Sequence, residues 1–148
     1  EKLGYVCVRG SENDVLQRYL DAAHETNADV IVRITGDCPL IDSEVVDQVV
    51  ARFKNVDVDY ASNTSPPTYP DGLDTEVFSL AALERAASES RDPYDHEHVT
   101  PYLRRPGLFK IADMTHAEDL SNLRWTVDEP DDFDVVSQVF AQAAPDGD

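Results

Sequence analysis

An α/β fold is predicted, with helices packed on both faces of a mostly parallel sheet, and three observations predict it. Short β-branched apolar runs alternate with stretches whose apolar residues recur at helical spacing. The run Val30 to Ile34 is almost continuously apolar and stops at Thr35-Gly36-Asp37-Cys38-Pro39, as expected of a strand covered on both faces and ending in an acidic turn. A chain of 148 residues with 41% hydrophobic content supplies one core, and no internal repeat is present. Residues 1–143 therefore read as a single domain, with 144–148 as a frayed tail.

The elements follow in order. Leu3 to Val8 reads as a short strand, and Ser11-Glu12-Asn13-Asp14 resembles a capping box that opens a helix over 12–26, with Val15, Leu16, Tyr19, Leu20 and Ala23 inward. After the strand at 29–35, Asp42 or Ser43 caps a helix to Phe53 that buries Val45, Val46, Val49 and Val50. Val56 to Ala61 is a further strand, followed by a polar, proline-rich loop to Gly72. Thr75 to Phe78 makes another strand, and Ser79 caps a helix to Ser90. Segment 91–98 is turn-like, a helix spans His98 to Arg105, and Pro106-Gly107 ends it. Phe109 to Met114 and Leu123 to Val127 are the last strands, and Pro130 to Ala143 is the terminal helix.

Charge excludes several functions. Thirty acidic against twelve basic residues give a net charge of −18, a surface that repels nucleic acid and anionic membranes. Abundant Asp with only three lysines, Lys2, Lys54 and Lys110, suits a halophilic protein, because molar salt screens the repulsion between carboxylates. No apolar stretch approaches the ~20 residues of a membrane span and no secretory signal opens the chain, so a cytoplasmic protein is expected. The first residue is Glu1, so a processed product or part of a longer chain is also expected. Cys7 and Cys38 form no CxxC pair and read as reduced, buried and structural.

Ligands of parallel sheets gather at the C-terminal ends of strands. Asp37 stands at such an end, between a glycine that allows close approach and a Cys-Pro pair that keeps the chain extended. It is a candidate metal ligand or a turn carboxylate bonding its own backbone. Asp128 closes the second such strand just before Pro130, and either caps the terminal helix or joins Asp37 in holding one Mg²⁺. Two carboxylates suffice, because Mg²⁺ completes its octahedron with water and phosphate. In Asp71-Gly72-Leu73-Asp74-Thr75-Glu76 the acids can accept hydrogen bonds from sugar hydroxyls, or Asp71-Gly72 is merely a tight turn. His96 and His98, two apart, do not share a helix face. His98 is the one expected to contact substrate or loop, leaving His96 outside.

Five motifs in one order carry a resemblance that covers nearly the whole chain. They are Val8-Arg9-Gly10-Ser11, Arg33-Ile34-Thr35-Gly36-Asp37-Cys38-Pro39-Leu40-Ile41-Asp42, Tyr69-Pro70-Asp71-Gly72-Leu73-Asp74, Glu97-His98-Val99-Thr100-Pro101-Tyr102 and Arg124-Trp125-Thr126-Val127-Asp128-Glu129-Pro130. Together they resemble the SpsF-like polysaccharide biosynthesis family, itself similar to the cytidylyltransferases that activate acidic sugars. The resemblance implies a Rossmann-like GT-A nucleotidyltransferase fold and Mg²⁺-dependent attack of a sugar or sugar phosphate on the α-phosphorus of CTP or another nucleoside triphosphate, with loss of pyrophosphate. It implies Asp37 and Asp128 as catalytic metal ligands and Asp71, Asp74, Glu76 and His98 as sugar-side contacts, with Arg33 and Arg124 pairing phosphate or a carboxylate.

The resemblance also implies an N-terminal loop of the type Gln-Ala-Arg-x-x-Ser-x-Arg-Leu-Pro-x-Lys to cradle the triphosphate, and these 148 residues contain none. The expected fold is thus incomplete at its N-terminus, weakly active or inactive alone, and its unpaired sheet edges favour association, a homodimer for instance. The alternatives are a glycosyltransferase using a nucleotide sugar, against which Asp37-Cys38-Pro39 is no DxD pair, and a non-catalytic interaction remnant.

Overall fold

The computed structural model describes residues 3–143. Its elements are α1 (Val15–Thr26), β1 (Val30–Arg33), α2 (Ser43–Asn55), β2 (Tyr60–Ser62), β3 (Glu76–Ser79), α3 (Leu80–Glu89), α4 (Pro93–His98), β4 (Ile111–Asp113) and α5 (Pro130–Ala143). Helix starts follow side-chain caps. Asp14, Asp42, Ser79 and Asp92 each accept from an amide two or three residues on, that of Gln17, Glu44, Ala82 and Tyr94 respectively.

One four-stranded sheet runs β1-β3-β2-β4. It is mixed, not mostly parallel. β3 is antiparallel to both β1 and β2, with Arg33 opposite Glu76 and Tyr60 opposite Phe78, and only β2 and β4 pair in parallel. The reason is the connection between β2 and β3, which contains no helix. A direct return of that kind joins antiparallel neighbours, whereas the helical links from β1 to β2 and from β2 to β4 allow parallel directions.

Helices cover both faces. Phe78 and Tyr60 face a core shared with Leu16 and Ala23 of α1, Leu83 and Ala86 of α3, and Leu103. Val77, Ala61 and Ala112 face Val49 of α2 on the other side. α2 lies over β2 and β3, so the outer face of β1 is left bare. Val30 and Val32 are 39% and 40% exposed while Ile31 is buried, which corrects the expectation of a strand covered on both faces.

Four further expectations are corrected. Residues 3–8 form no strand among the described residues, and Leu3, Tyr5 and Val6 are exposed, because no neighbouring strand pairs with them. The helix expected over His98–Arg105 is α4, earlier in the chain: Asp92-Pro93 is an N-cap followed by proline at the first helical position, and Pro101 prevents continuation. Leu123–Val127 is not a strand but a bridge. Arg124 pairs with Asp71 in parallel, and the amides of Trp125 and Val127 donate to the carbonyls of Asp71 (2.7 Å) and Asp37 (2.8 Å). Its partners are turn residues, so the run crosses the strand ends rather than entering the sheet. The 144–148 tail lies outside the described residues. Cys7 is exposed, contrary to expectation, and Cys38 is buried.

Candidate active site

Four of the expected site residues line one cavity of about 160 Å³ at the end of the sheet: Arg33, Asp74, Glu76 and His98. The strand register builds it. Arg33 closes β1 directly across from Glu76 in β3, and its Nη1 donates to Glu76 Oε2. The other Glu76 oxygen accepts from the Tyr60 hydroxyl at 2.5 Å, and the whole residue is 4% exposed. Burial, reinforced by Glu76, pushes the Tyr60 hydroxyl above its ordinary range, so it stays a donor. Both oxygens of Glu76 are thereby engaged by the protein, and its evident work is to aim Arg33.

Asp74 is under electrostatic pressure. Burial first, then the charges of Asp71, Glu76 and Asp37, push its carboxyl up to about 6, against the pull of Arg33. The turn that presents it is fixed from beneath by Asn63, 1% exposed, whose Nδ2 donates to the Leu73 carbonyl and whose Oδ1 accepts from the Thr75 amide, both at 2.8 Å. Gly72 lets the same turn dock. Its φ is +107° and a Cβ there would meet the Trp125 carbonyl carbon at 2.8 Å.

Asp37 stands at the turn after β1, held below the usual carboxylate range chiefly by the Thr35 hydroxyl, with the Cys38 thiol and the Arg33 charge adding to this. Its carboxylate is therefore charged at neutral pH. Burial raises the Cys38 thiol, which makes it a weak nucleophile. Around Gly36, beside it, no described residue other than its chain neighbours comes within 4 Å of where a Cβ would stand, so its surroundings are open.

Asp128 arrives at the same place by another route. The Val127–Asp37 backbone bond joins the two turns. Asp128 Oδ2 accepts from Arg124 Nη2 and from the Thr126 hydroxyl at 3.1 Å, while Arg124 Nη1 donates to Asp132 at 2.7 Å. The second Asp132 oxygen accepts from the amides of Asp128 and Glu129, so Asp132 rather than Asp128 serves the start of α5. Arg124 pairs with carboxylates, one of its two expected roles. Asp128 Oδ1 has no partner among the described residues. The described residues contain no cluster of three or more His, Cys, Asp or Glu side chains suited to a metal, so any ion here depends on the two turns and on water or phosphate.

The remaining walls of the cavity were not foreseen. Thr64, Tyr94, Thr100 and Arg104 line it with the four named above. His98 lies against the Tyr94 ring, centroids 4.3 Å apart, at the end of α4. Val99, fully buried with φ +71°, bends the chain so that His98 and Thr100 both reach the cavity, a conformation a β-branched residue adopts only under constraint. His96 instead binds Asp14 at 2.9 Å, tying α4 to the cap of α1. A larger cavity of about 450 Å³ beside α5 is walled mainly by Leu40, Trp125, Val135, Val136 and Val139, and offers few groups that could orient a sugar.

The chain is similar to known proteins over most of its length. The chain is 41% identical to an uncharacterized protein of Methanocaldococcus jannaschii over 88% of its length, and 27% identical to the spore coat polysaccharide biosynthesis protein SpsF of Bacillus subtilis over 96%. A 3-deoxy-manno-octulosonate cytidylyltransferase of Hydrogenovibrio crunogenus is 30% identical over 64%. A solved cytidylyltransferase structure from Leptospira borgpetersenii superposes with a TM-score of 0.90 at 39% identity, covering 95% of this chain and 60% of that one. The chain spans 54%, 60% and 46% of the three relatives' own lengths. The cytidylyltransferase family model matches residues 2–129, and with this fold and these strand-end motifs the chain belongs to the cytidylyltransferase family.

Proposed function

We propose that this chain carries the acceptor and metal side of an active site that transfers a cytidylyl group from CTP to a sugar or sugar phosphate for surface polysaccharide synthesis. The observation that supports it most is the meeting of the Asp37 and Asp128 turns beside a polar cavity lined by Arg33, Asp74, Glu76 and His98. In the reaction an acceptor oxygen forms a bond to the α-phosphorus, the α–β phosphoanhydride bond breaks, and pyrophosphate leaves with the bonding electrons. Asp74, with a pKa of about 6, suits the acceptor's proton at neutral pH.

Asp37 and Asp128 fit a hard divalent cation. One is held ionised and the other keeps a free oxygen. Mg²⁺ bound there would neutralise developing phosphate charge. The chain's residues would then orient the acceptor through Asp74 and His98, with Glu76 holding Arg33 toward it; Asp71, expected beside them, does not line the cavity. The triphosphate cradle implied by the resemblance is not among these residues, so turnover is assigned to the full gene product. Among the described residues no helix is long and apolar enough to cross a membrane. A cytoplasmic site, where CTP is made, agrees with the reading, and the acid-rich surface predicts that the thermal midpoint rises between low and molar KCl.

The test is pyrophosphate release from CTP and Mg²⁺ with a panel of sugars and sugar phosphates, using the full gene product. Sugar-dependent release with formation of a cytidylyl sugar supports the proposal. Release of free nucleoside diphosphate from a nucleotide sugar, with no use of CTP, would replace it by glycosyl transfer.

A further inference from the structure

The geometry points to Val99 as a positioning residue: its strained turn sets His98 and Thr100 together on the cavity wall while its own side chain is turned into the core. The inference rests on the reading of this cavity as the acceptor site, and it concerns a residue behind the wall that the reading leaves without work.

Val99 follows the last residue of α4 with φ +71° and ψ −56°, and the Thr100 amide donates to the His98 carbonyl at 2.8 Å. Together these make the rare, strained form of the γ-turn, in which three residues reverse the chain. Helices commonly leave through a left-handed glycine or asparagine, as α1 does at Asn27. A valine with positive φ is costlier, because its branched Cβ crowds the backbone. Strain of this kind persists only where the surroundings over-determine it, and it gathers at functional sites.

Val99 is held from several sides. Its side chain is fully buried in the cluster that contains Leu16, Phe78, Leu83 and Leu103. Its amide donates to the Asp95 carbonyl at 2.8 Å, and the buried Asp95 carboxylate accepts from the Ser90 hydroxyl and from Arg105. Beyond the turn, the Arg104 amide donates to the Thr100 carbonyl at 3.2 Å. What the strain secures lies on the cavity side. His98 and Thr100 flank Val99 and both line the cavity, His98 against the Tyr94 ring. Thr100 is 1% exposed, and its hydroxyl hydrogen-bonds no described residue. A buried hydroxyl is seldom left so, and the cavity is the side from which a partner can reach it. Val99 is the link between the two wall residues, so moving its φ to the ordinary negative range would reorient one against the other.

The test uses the full gene product and two readouts. With ring centroids 4.3 Å apart, Tyr94 should displace the His98 imidazole C–H resonance by its ring current, and His98→Gln identifies that resonance by removing it. Glycine adopts either sign of φ, so Val99→Gly frees the turn. It should return the His98 resonance toward the position of an exposed histidine. It should also raise the KM for the sugar or sugar phosphate that supports the fastest pyrophosphate release by about tenfold, with kcat changed less than about threefold. Leu83→Ala opens a void in the same cluster from α3, and should lower the thermal midpoint at least as far while both readouts stay at their wild-type values. Should Val99→Gly not fold, Val99→Ala, which keeps the Cβ and loses the rest of the buried side chain, is read in its place with the same expectation. An unmoved His98 resonance, a KM that stays at the wild-type value, or the same two changes in Leu83→Ala would overturn the proposal. Absence of pyrophosphate release by the wild-type protein with every acceptor would defeat the proposed reaction, and the His98 resonance would still decide whether Val99 positions its neighbour.

Discussion

Two acid-bearing places meet at the strand ends, and they settle their charges in opposite ways. At the Asp37–Asp128 junction, Arg124 joins Asp128 to Asp132, and backbone amides complete Asp132. Arg124 is raised and Asp132 lowered from their ordinary values, chiefly by their mutual hydrogen bond. In the cavity nearby the balance is left open: Asp74 is buried among like charges, and Arg33 Nε is buried with no acceptor among the described residues. A satisfied ion network holds a turn in place. In an unsatisfied one, charge is held at a cost in stability, as is common at functional sites.

The strongest way to break this contrast is to remove the carboxylates assigned to the metal. Asp37→Asn or Asp128→Asn should lower pyrophosphate release by the full gene product about a thousandfold or more, with substrate binding in the cavity retained. Turnover within tenfold of wild type for either variant would separate that residue from the chemistry.

Next in size is Gly72→Ala. A methyl group at φ +107°, 2.8 Å from the Trp125 backbone, forces the Asp74 turn off the 123–127 segment, so a loss of about 2 kcal/mol is expected, a fall of about 6 °C in thermal midpoint. An unchanged midpoint would mean that the two segments do not depend on each other.

Asp74 gives a prediction with a defined sign. Its folded-state pKa of about 6 lies above the ordinary 3.8, so the folded state binds more protons than the unfolded one between those values. Its charge therefore destabilises the fold at neutral pH, and this penalty fades as pH falls through 6. Asp74→Asn should stabilise the protein at pH 7 by about 1 kcal/mol, solvent screening included, and lose that advantage near pH 4 while turnover falls. A destabilised Asp74→Asn at pH 7 would contradict the account of the cavity.

The smallest effect belongs to His96. Asp14 raises its pKa, and although burial works against it, the His96 and Gln17 hydrogen bonds lower that of Asp14. The histidine's contribution is thus complete below its ordinary value of 6.5 and is lost as pH rises through the raised one. Both groups are partly exposed, so His96→Ala should cost less than about 1 kcal/mol near pH 6 and nothing at pH 9, as read from paired melting curves. An equal loss at both pH values would make the role of His96 packing rather than charge.

Much of this was legible along the chain, and the misses have a common cause. Asp42, Ser79 and the Pro130 start of α5 declare their helices through local chemistry, and the structure agrees. Asp37 and Asp128 each read as the end of a strand; the structure joins the two turns by the Val127–Asp37 backbone hydrogen bond, although only the first follows a strand. What failed depended on neighbours. Periodicity cannot say that β3 returns between β1 and β2, nor that Leu123–Val127 will pair with turns instead of strands. Segment 91–98 reads as turn-like from its polar composition, and the start signal for α4 in it is Asp92-Pro93, a cap followed by proline at the first helical position. Asn63 carries no motif of its own, since it matters through the turn it holds.

The most direct test of a single site shared by two turns is paramagnetic broadening of backbone amide resonances by trace Mn²⁺ standing in for Mg²⁺. The account predicts that the amides around Asp37 and around Val127–Asp128 broaden first and together, that Mg²⁺ restores them, and that Asp37→Asn abolishes both effects. Broadening of one turn without the other, or a diffuse loss of signal over the acidic surface that Asp37→Asn leaves unchanged, would contradict it.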